Sequence, residues 1–208
     1  MNVYAVVTAD IINSRIYDNI SGTVKSNLVH FPKDYLLTPF TLSRGDELQA
    51  VCCDITHLPE IIRHLRFICT PAKLRVGIGI GDVQYPEGTK NSWDMDGKTF
   101  HLARKALDSL KNDKQPGTVF VSENVDFDLS VNTIYKLMDV IAGNWTLDQW
   151  VAVQAYDKHG TYEKAADYLK VKWQNVQKRC NAARWYAISE AEKNVSALFR
   201  SKFSELGY

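Results

Sequence analysis

Two carboxylates follow predicted strands, where they could bind a metal ion. Asp10 ends the first apolar run, and Asp46 lies in the turn Ser43-Arg44-Gly45-Asp46-Glu47 between two strand-like runs. Carboxylates on neighbouring strand ends offer the hard oxygen ligands that Mg²⁺ prefers. Metal ions held there could neutralise a triphosphate and activate a hydroxyl group. The simpler alternative is that these residues form turns, with Asp10 capping the next helix.

The residues directly after Asp10 are candidates for binding phosphate. The segment Asp10-Ile11-Ile12-Asn13-Ser14 leads from a strand into a predicted loop and helix. Backbone N–H groups at a helix start are free to hold phosphate oxygens. We therefore take Ile11, Asn13 and Ser14 as candidate nucleotide contacts.

A second candidate surface is basic and lies nearer the C-terminus. The segment 172–184, KWQNVQKRCNAAR, contains four basic residues and no acid. Gln and Asn side chains can pair with adenine in the major groove and Arg with guanine, while other basic residues hold phosphates. A small helical bundle used for dimerisation or protein contact is the alternative. The candidate DNA contacts are Lys172, Gln174, Asn175, Lys178, Arg179 and Arg184.

The first two-thirds of the chain alternates strand and helix patterns. Apolar, β-branched or turn-bounded runs predict strands over 3–8, 39–43, 47–53 and 74–80, and a last strand after Gly117. Apolar residues at helical spacing predict helices over 57–69 and 97–111, and residues 13–29 form a loop and helix. Such alternation predicts one mixed sheet covered by helices.

The last third is helical in pattern. The segment 124–144 carries less signal and is predicted to be a connection. Thr146 and Gln149 have the spacing of a capping box, which begins a helix. Further helices fit residues 161–169, 172–186 and 189–205, and the pair formed by 161–169 and 172–186 resembles the helix-turn-helix of sigma-factor-like and Mar-like regulators.

Composition narrows the class of protein. The 208 residues are 45% hydrophobic and 24% charged, which suits a packed core rather than disorder. No apolar run reaches the roughly 20 residues that span a bilayer, and the N-terminus has no signal-peptide pattern. The four cysteines have no CxxC spacing, which argues against a disulfide framework and a zinc site. We therefore expect a cytoplasmic protein without membrane contact.

The order of these pieces resembles the catalytic domain of class III nucleotidyl cyclases and the related GGDEF domain. TADIINS resembles the first metal-binding strand and loop, SRGDELQAV the second metal-binding hairpin, and LRVGIGIGDV a strand that ends in a glycine-containing turn. WDMDGKTFHLARKA resembles the segment with the base-recognition acid and the transition-state groups, and GTVFVSENV the final strand. Joined to a helix-turn-helix, the chain resembles the SatD family.

The resemblance implies roles for individual residues. Asp10 and Asp46 match the two metal-binding acids, and Asp94 matches the acid that contacts the purine. His101 falls where cyclases have a transition-state Asn, and Lys105 where they have a transition-state Arg. A Lys cannot reproduce the bidentate fork of Arg. The resemblance therefore implies Mg²⁺, a purine nucleotide and a homodimer, but a degenerate catalytic site.

The predicted fold is α+β: a ferredoxin-like, cyclase-type mixed sheet over residues 1–140, then a small all-α helix-turn-helix domain over 141–208. The first functional hypothesis is a nucleotide- and metal-binding regulator that binds duplex DNA. The second is a nucleotidyl cyclase or nucleotidyltransferase regulated by its helical C-terminal domain. The third is a dimeric scaffold in which both sites are vestigial.

Overall fold

A five-stranded mixed sheet forms the centre of the first part of the molecule. The structure is a computed structural model, and it describes residues 3–43, 46–85 and 88–203. The strand order is β2-β3-β1-β4-β5, and every neighbouring pair is antiparallel except β4 and β5. The mixed sheet and its helices confirm the predicted α+β class. The strands are β1 (Tyr4–Ile11), β2 (Leu36–Leu42), β3 (Glu47–Cys52), β4 (Leu74–Gly81) and β5 (Gly117–Val121).

Helices cover both faces of this sheet. Successive strand residues point to opposite faces. One face of β1 therefore joins the main hydrophobic core with residues of α1 (Ile20–Leu28) and α2 (Leu58–Cys69), and the other face lies under α3 (Lys98–Asn112). These bounds agree closely with the predicted elements. Arg44 and Gly45 of the predicted turn lie outside the described residues.

The segment 124–144, predicted to be a connection, is a helix, α4 (Val125–Ala142). The side chain of Asn124 caps it by accepting a hydrogen bond from the N–H of Phe127. Four residues at helical spacing are buried on one side: Phe127, Val131, Tyr135 and Met138. The helical period was hidden because apolar residues also occupy the opposite, exposed side.

Four further helices follow α4 in the part of the chain that the structure describes. They are α5 (Leu147–His159), α6 (Tyr162–Leu169), α7 (Trp173–Ala182) and α8 (Trp185–Phe203). The predicted capping box of Thr146 and Gln149 is present at the start of α5. The helix predicted over 172–186 ends earlier, at Ala182, because Arg184 adopts a left-handed conformation with φ of 56°. Among the described residues, no helix is long and apolar enough to cross a lipid bilayer.

Two hydrophobic clusters are connected by α4 and α8. The first cluster surrounds the sheet, and the second joins α5, α6 and α7 around Trp145 and Trp150. The first half of α8 places Ile188 in the second cluster, and its second half places Val195 and Phe199 in the first. The predicted division at residue 140 therefore falls within α4, and α8 returns across it; the division into domains stays a prediction.

Candidate functional site

A charged cluster occupies the face of the sheet that lies under α3. Asp10 on β1 faces Glu47 on β3, since their Cα atoms are direct partners in the antiparallel ladder. Arg75 on β4 donates to Asp10 with an Nη1–Oδ2 distance of 2.8 Å. Nζ of Lys111 lies 2.7 Å from Oε1 of Glu47 and 3.6 Å from Oδ1 of Asp10. Arg104 donates to both carboxylate oxygens of Glu47, at 2.9 and 3.0 Å.

The glycines of β4 allow α3 to supply two of these cations. A Cβ at Gly77 would lie 2.5 Å from the carbonyl oxygen of Ala103, and one at Gly79 would lie 2.1 Å from that of Thr99. Only glycine permits so close an approach of the helix backbone to the sheet. Because Arg104 and Lys111 are two turns apart on α3, both side chains reach the cluster.

The cations stabilise the ionised form of Glu47. Burial opposes ionisation, but hydrogen bonds from Arg104 and Lys111 outweigh it and lower the pKa of Glu47. The hydrogen bond to Glu47 raises the pKa of Arg104 in turn. For Lys111, burial lowers the pKa, but the bond to Glu47 and the charge of Asp10 outweigh it and raise it. The result is a compact cluster in which three cations surround two carboxylates.

The predicted Mg²⁺ ligands, Asp10 and Asp46, each have protein partners in this structure. Asp46 accepts a hydrogen bond from Oγ of Ser14 at 2.5 Å, and its backbone oxygen accepts from the N–H of Ile11. The carboxylate beside Asp10 is that of Glu47, one residue later, and the neighbours of Asp10 are Arg75 and Lys111. In the described part of the chain, no three His, Cys, Asp or Glu residues form a group that could hold a metal ion. The geometry does not favour a shared dication, and Mg²⁺ binding stays a prediction.

The remaining predicted nucleotide and transition-state residues lie on several different elements. Ile11 is buried in the core, and Asn13 has a left-handed φ of 53°. Asp94 is exposed in a short 3₁₀ turn after β4. His101 and Lys105 are exposed on α3, and His101 lies 3.7 Å from Asp96. The sequence analysis did not predict the residues that form the charged cluster with Asp10. They are Glu47, Arg75, Arg104 and Lys111.

The basic segment forms the exposed helix α7 of a three-helix unit. Lys172 precedes the helix, and Gln174, Asn175 and Lys178 are exposed on it, as predicted. Arg179 differs, because its side chain is half-buried and its Nη2 lies 2.7 Å from Oδ2 of Asp148 on α5. Arg184 is exposed after the helix ends.

A buried ion cluster connects the sheet to the helical part. Arg63 on α2 donates to Glu192 on α8 at 2.9 Å and to Asp157 on α5 at 2.8 Å. The guanidinium carbon also lies 4.8 Å from the ring centroid of Trp185. Burial opposes the charge of Arg63, but the two carboxylates outweigh it and raise its pKa. Three helices from both parts of the molecule are thereby held together.

The family model for the SatD family matches residues 4–187, which is most of the chain. The chain belongs to the SatD family. No curated protein matches this SatD-family chain. Among solved structures, one similar chain is described as the regulator of polyketide synthase expression from Bifidobacterium adolescentis, at 14% identity and a TM-score of 0.28, covering 95% of this chain and 79% of that one. At so low a TM-score the likeness carries no argument about fold or function.

Proposed function

We propose that this SatD-family protein binds duplex DNA through a helix-turn-helix formed by α5, α6 and α7, with α7 as the helix that enters the major groove. The observation that carries the proposal is the outward face of α7. It presents exposed amide and basic side chains, and no acid occurs between residues 172 and 184. A DNA-binding helix needs such a face.

The short connection between α6 and α7 supports the helix-turn-helix interpretation. Only residues 170–172 separate the two helices, and Lys170 takes a left-handed φ of 54°. The N–H of Val171 bonds back to the oxygen of Ala166. Ala165 and Ala166 are buried in the same cluster as Val176 of α7. Small residues at this contact allow the two helices to pack closely, with α5 across both.

The start of α7 suits a phosphate. No side chain caps the helix at Lys172. The N–H of Asn175 bonds to the oxygen of Lys172, and the N–H groups before it are at the helix start, where an anion can bind. The exposed lysine adds a positive charge at the same point. We therefore assign Lys172 to the DNA backbone and Gln174, Asn175 and Lys178 to the groove.

Arg179 needs a different role from the direct guanine contact predicted from sequence. Its bond to Asp148 on α5 fixes α7 against the supporting helix. Because this bond engages Nη2 and the side chain is half-buried, we regard Arg179 as a positioning residue in the free protein.

The sheet part supplies a scaffold in this proposal. Its first six elements run β-α-β-β-α-β with strand order β2-β3-β1-β4, which supports the ferredoxin-like interpretation. The dispersed nucleotide candidates and the protein cations beside Asp10 give no support to cyclase chemistry. The function proposed for the protein therefore does not include nucleotide binding, Mg²⁺ binding or catalysis.

The test is fluorescence anisotropy of labelled duplexes with the full chain at two salt concentrations. We expect binding to random duplex at low salt, with a steep salt dependence. Lys172→Ala should weaken binding to all sequences and reduce the salt slope by about one. Gln174→Ala should cost roughly 1–3 kcal/mol on a selected site and little on random duplex.

A matched control is Lys25→Ala, which removes an exposed lysine from α1 at a distance from α7. This variant should bind DNA like the wild type. Absence of binding by the wild type at low salt would refute the proposal, as would an equal loss of affinity in the Lys25 and Lys172 variants.

A further inference from the structure

The outer side of α4 exposes large apolar side chains along its length. Val125 is 79% exposed, Leu129 68%, and Leu137 and Val140 are each 65% exposed. The opposite side of the same helix is buried in the two hydrophobic clusters. A helix of a globular protein normally has one apolar face. The second apolar face of α4 therefore needs a partner.

These residues form one continuous line. With Thr133 they make up the α4 stripe, defined as Val125, Leu129, Thr133, Leu137 and Val140. The spacing is four, four, four and three residues, which keeps the side chains on one side of a helix. Contiguous apolar surface of this kind marks an interaction site, unlike apolar residues scattered singly.

We infer that the α4 stripe is a homodimer interface, on which the stripe of a second copy packs antiparallel. The spacing of the apolar residues is nearly the same on the N-terminal and the C-terminal side of Thr133. A twofold axis at Thr133 therefore pairs Leu129 with the partner's Leu137 and makes the surface complementary to itself, as an isologous interface requires. This interface is separate from the charged cluster on the sheet, and it goes beyond the DNA-binding proposal without depending on it.

Charge favours the antiparallel orientation. Asp126 lies in the first turn of α4 and Lys136 in its later half. Both are exposed, and neither has an ion-pair partner among residues 3–43, 46–85 and 88–203. An antiparallel pair places the acidic half of each helix beside the half that carries the lysine, and it also opposes the helix dipoles. A parallel pair would bring like charges to the same level.

The exposed apolar side chains suit a small interface. Two copies contribute eight of them, each about two-thirds exposed or more. A contact of this kind lies at the small end of specific interfaces, which begin at roughly 1,000 Å² in total. The α4 helix of a second molecule has the same length and the same stripe, so it can cover this surface.

The experiment measures the mass of the full chain in solution by light scattering and sedimentation at micromolar concentrations. We expect the wild type to be a dimer. Leu129→Glu and Leu137→Lys should each produce a monomer, because each buries unpaired charges at the axis. The double variant should recover the dimer, because the two new charges then face each other across the axis.

Circular dichroism and the Tm of each variant report whether the monomer has kept its fold. The matched control is Tyr186→Glu, which places a charge at an 82% exposed position on α8 outside the stripe; it should remain a dimer. A monomeric wild type overturns the inference, and so does a Leu129→Glu variant that stays dimeric. Folded monomers for both single variants and for the double variant would overturn the antiparallel register.

Discussion

Glu192 makes the stability of the molecule depend on pH in an unusual direction. Its side chain is 12% exposed and its carboxylate accepts a hydrogen bond from Arg63, yet burial raises its pKa from 4.5 to about 7. The perturbation is Glu192→Gln, which keeps the size and the hydrogen-bonding amide oxygen but cannot ionise. The comparison isolates the titration of one buried group at the junction of the sheet and the helices.

The sign follows from the raised pKa. The folded chain holds the Glu192 proton more tightly than the unfolded chain, so the contribution of this group to stability is fully present below pH 4.5. It is lost as the pH rises through 7. A group with one such shifted proton changes stability by about 1.4 kcal/mol per pH unit between the two pKa values. The loss between pH 5 and 8 is therefore roughly 2–3 kcal/mol.

The assay is urea unfolding of the wild type and of Glu192→Gln at pH 5, 6, 7 and 8. Taking the difference between their free energies of unfolding cancels the contributions of the other titrating groups. From pH 5 to pH 8 this difference should change by roughly 2–3 kcal/mol in favour of the variant. Glu190→Gln removes an exposed acid from the same helix and serves as the control. A difference that stays constant with pH would show that Arg63 keeps Glu192 ionised throughout, and the reasoning would be wrong.

Three other substitutions test contacts of the sheet and of α7, each by urea unfolding. Gly79→Ala should cost about 1–3 kcal/mol, because the new Cβ meets the carbonyl oxygen of Thr99 at 2.1 Å; unchanged stability would refute the close approach of α3. Lys111→Met should cost about 1–2 kcal/mol at pH 7. That cost should shrink below pH 4.5, since the stability from the lowered pKa of Glu47 is fully present above the unfolded pKa and is lost as the pH falls through the folded pKa; a cost that does not fall at acid pH would contradict the ion pairs. Trp145→Phe should cost about 1–3 kcal/mol, because a buried carbonyl at the end of α7 loses its 2.8 Å hydrogen bond; a neutral effect would mean that another donor replaces it.

The elements that the sequence predicts well have one buried face. The helices over 58–69 and 98–112 bury residues at a period near 3.6, and the capping box at Thr146 begins α5 where expected. The helix α4 escaped prediction because Val125, Leu129, Leu137 and Val140 add a second apolar face. Periodicity identifies a helix from the difference in hydrophobicity between its two sides. In α4 both sides carry apolar residues, so this difference is small.

The charged cluster around Asp10 could be predicted only in part. The sequence named Asp10 and Asp46 as two acids of one metal site, and the strand register places Glu47 directly opposite Asp10. A one-residue shift moves a side chain to the other face of a sheet, and no sequence pattern in the turn fixes that shift. Arg75, Arg104 and Lys111 reach the cluster only through the pairing of β1 with β4 and the close packing of α3. Contacts of this kind depend on tertiary structure.

Because α8 packs into both hydrophobic clusters, the core of the sheet is completed by residues that are synthesised late. Phe199 packs against Phe120 and Phe127 inside the core of the sheet, with ring centroids 5.7 and 5.5 Å apart. During synthesis, the N-terminal strands therefore leave the ribosome long before the residue that completes their core. Until residues near 199 have been translated, the nascent sheet exposes aromatic side chains that aggregation or a chaperone can capture. A ribosome stalled shortly before this point should carry a chain that is cleaved more readily by protease than one stalled after residue 203 has cleared the exit tunnel.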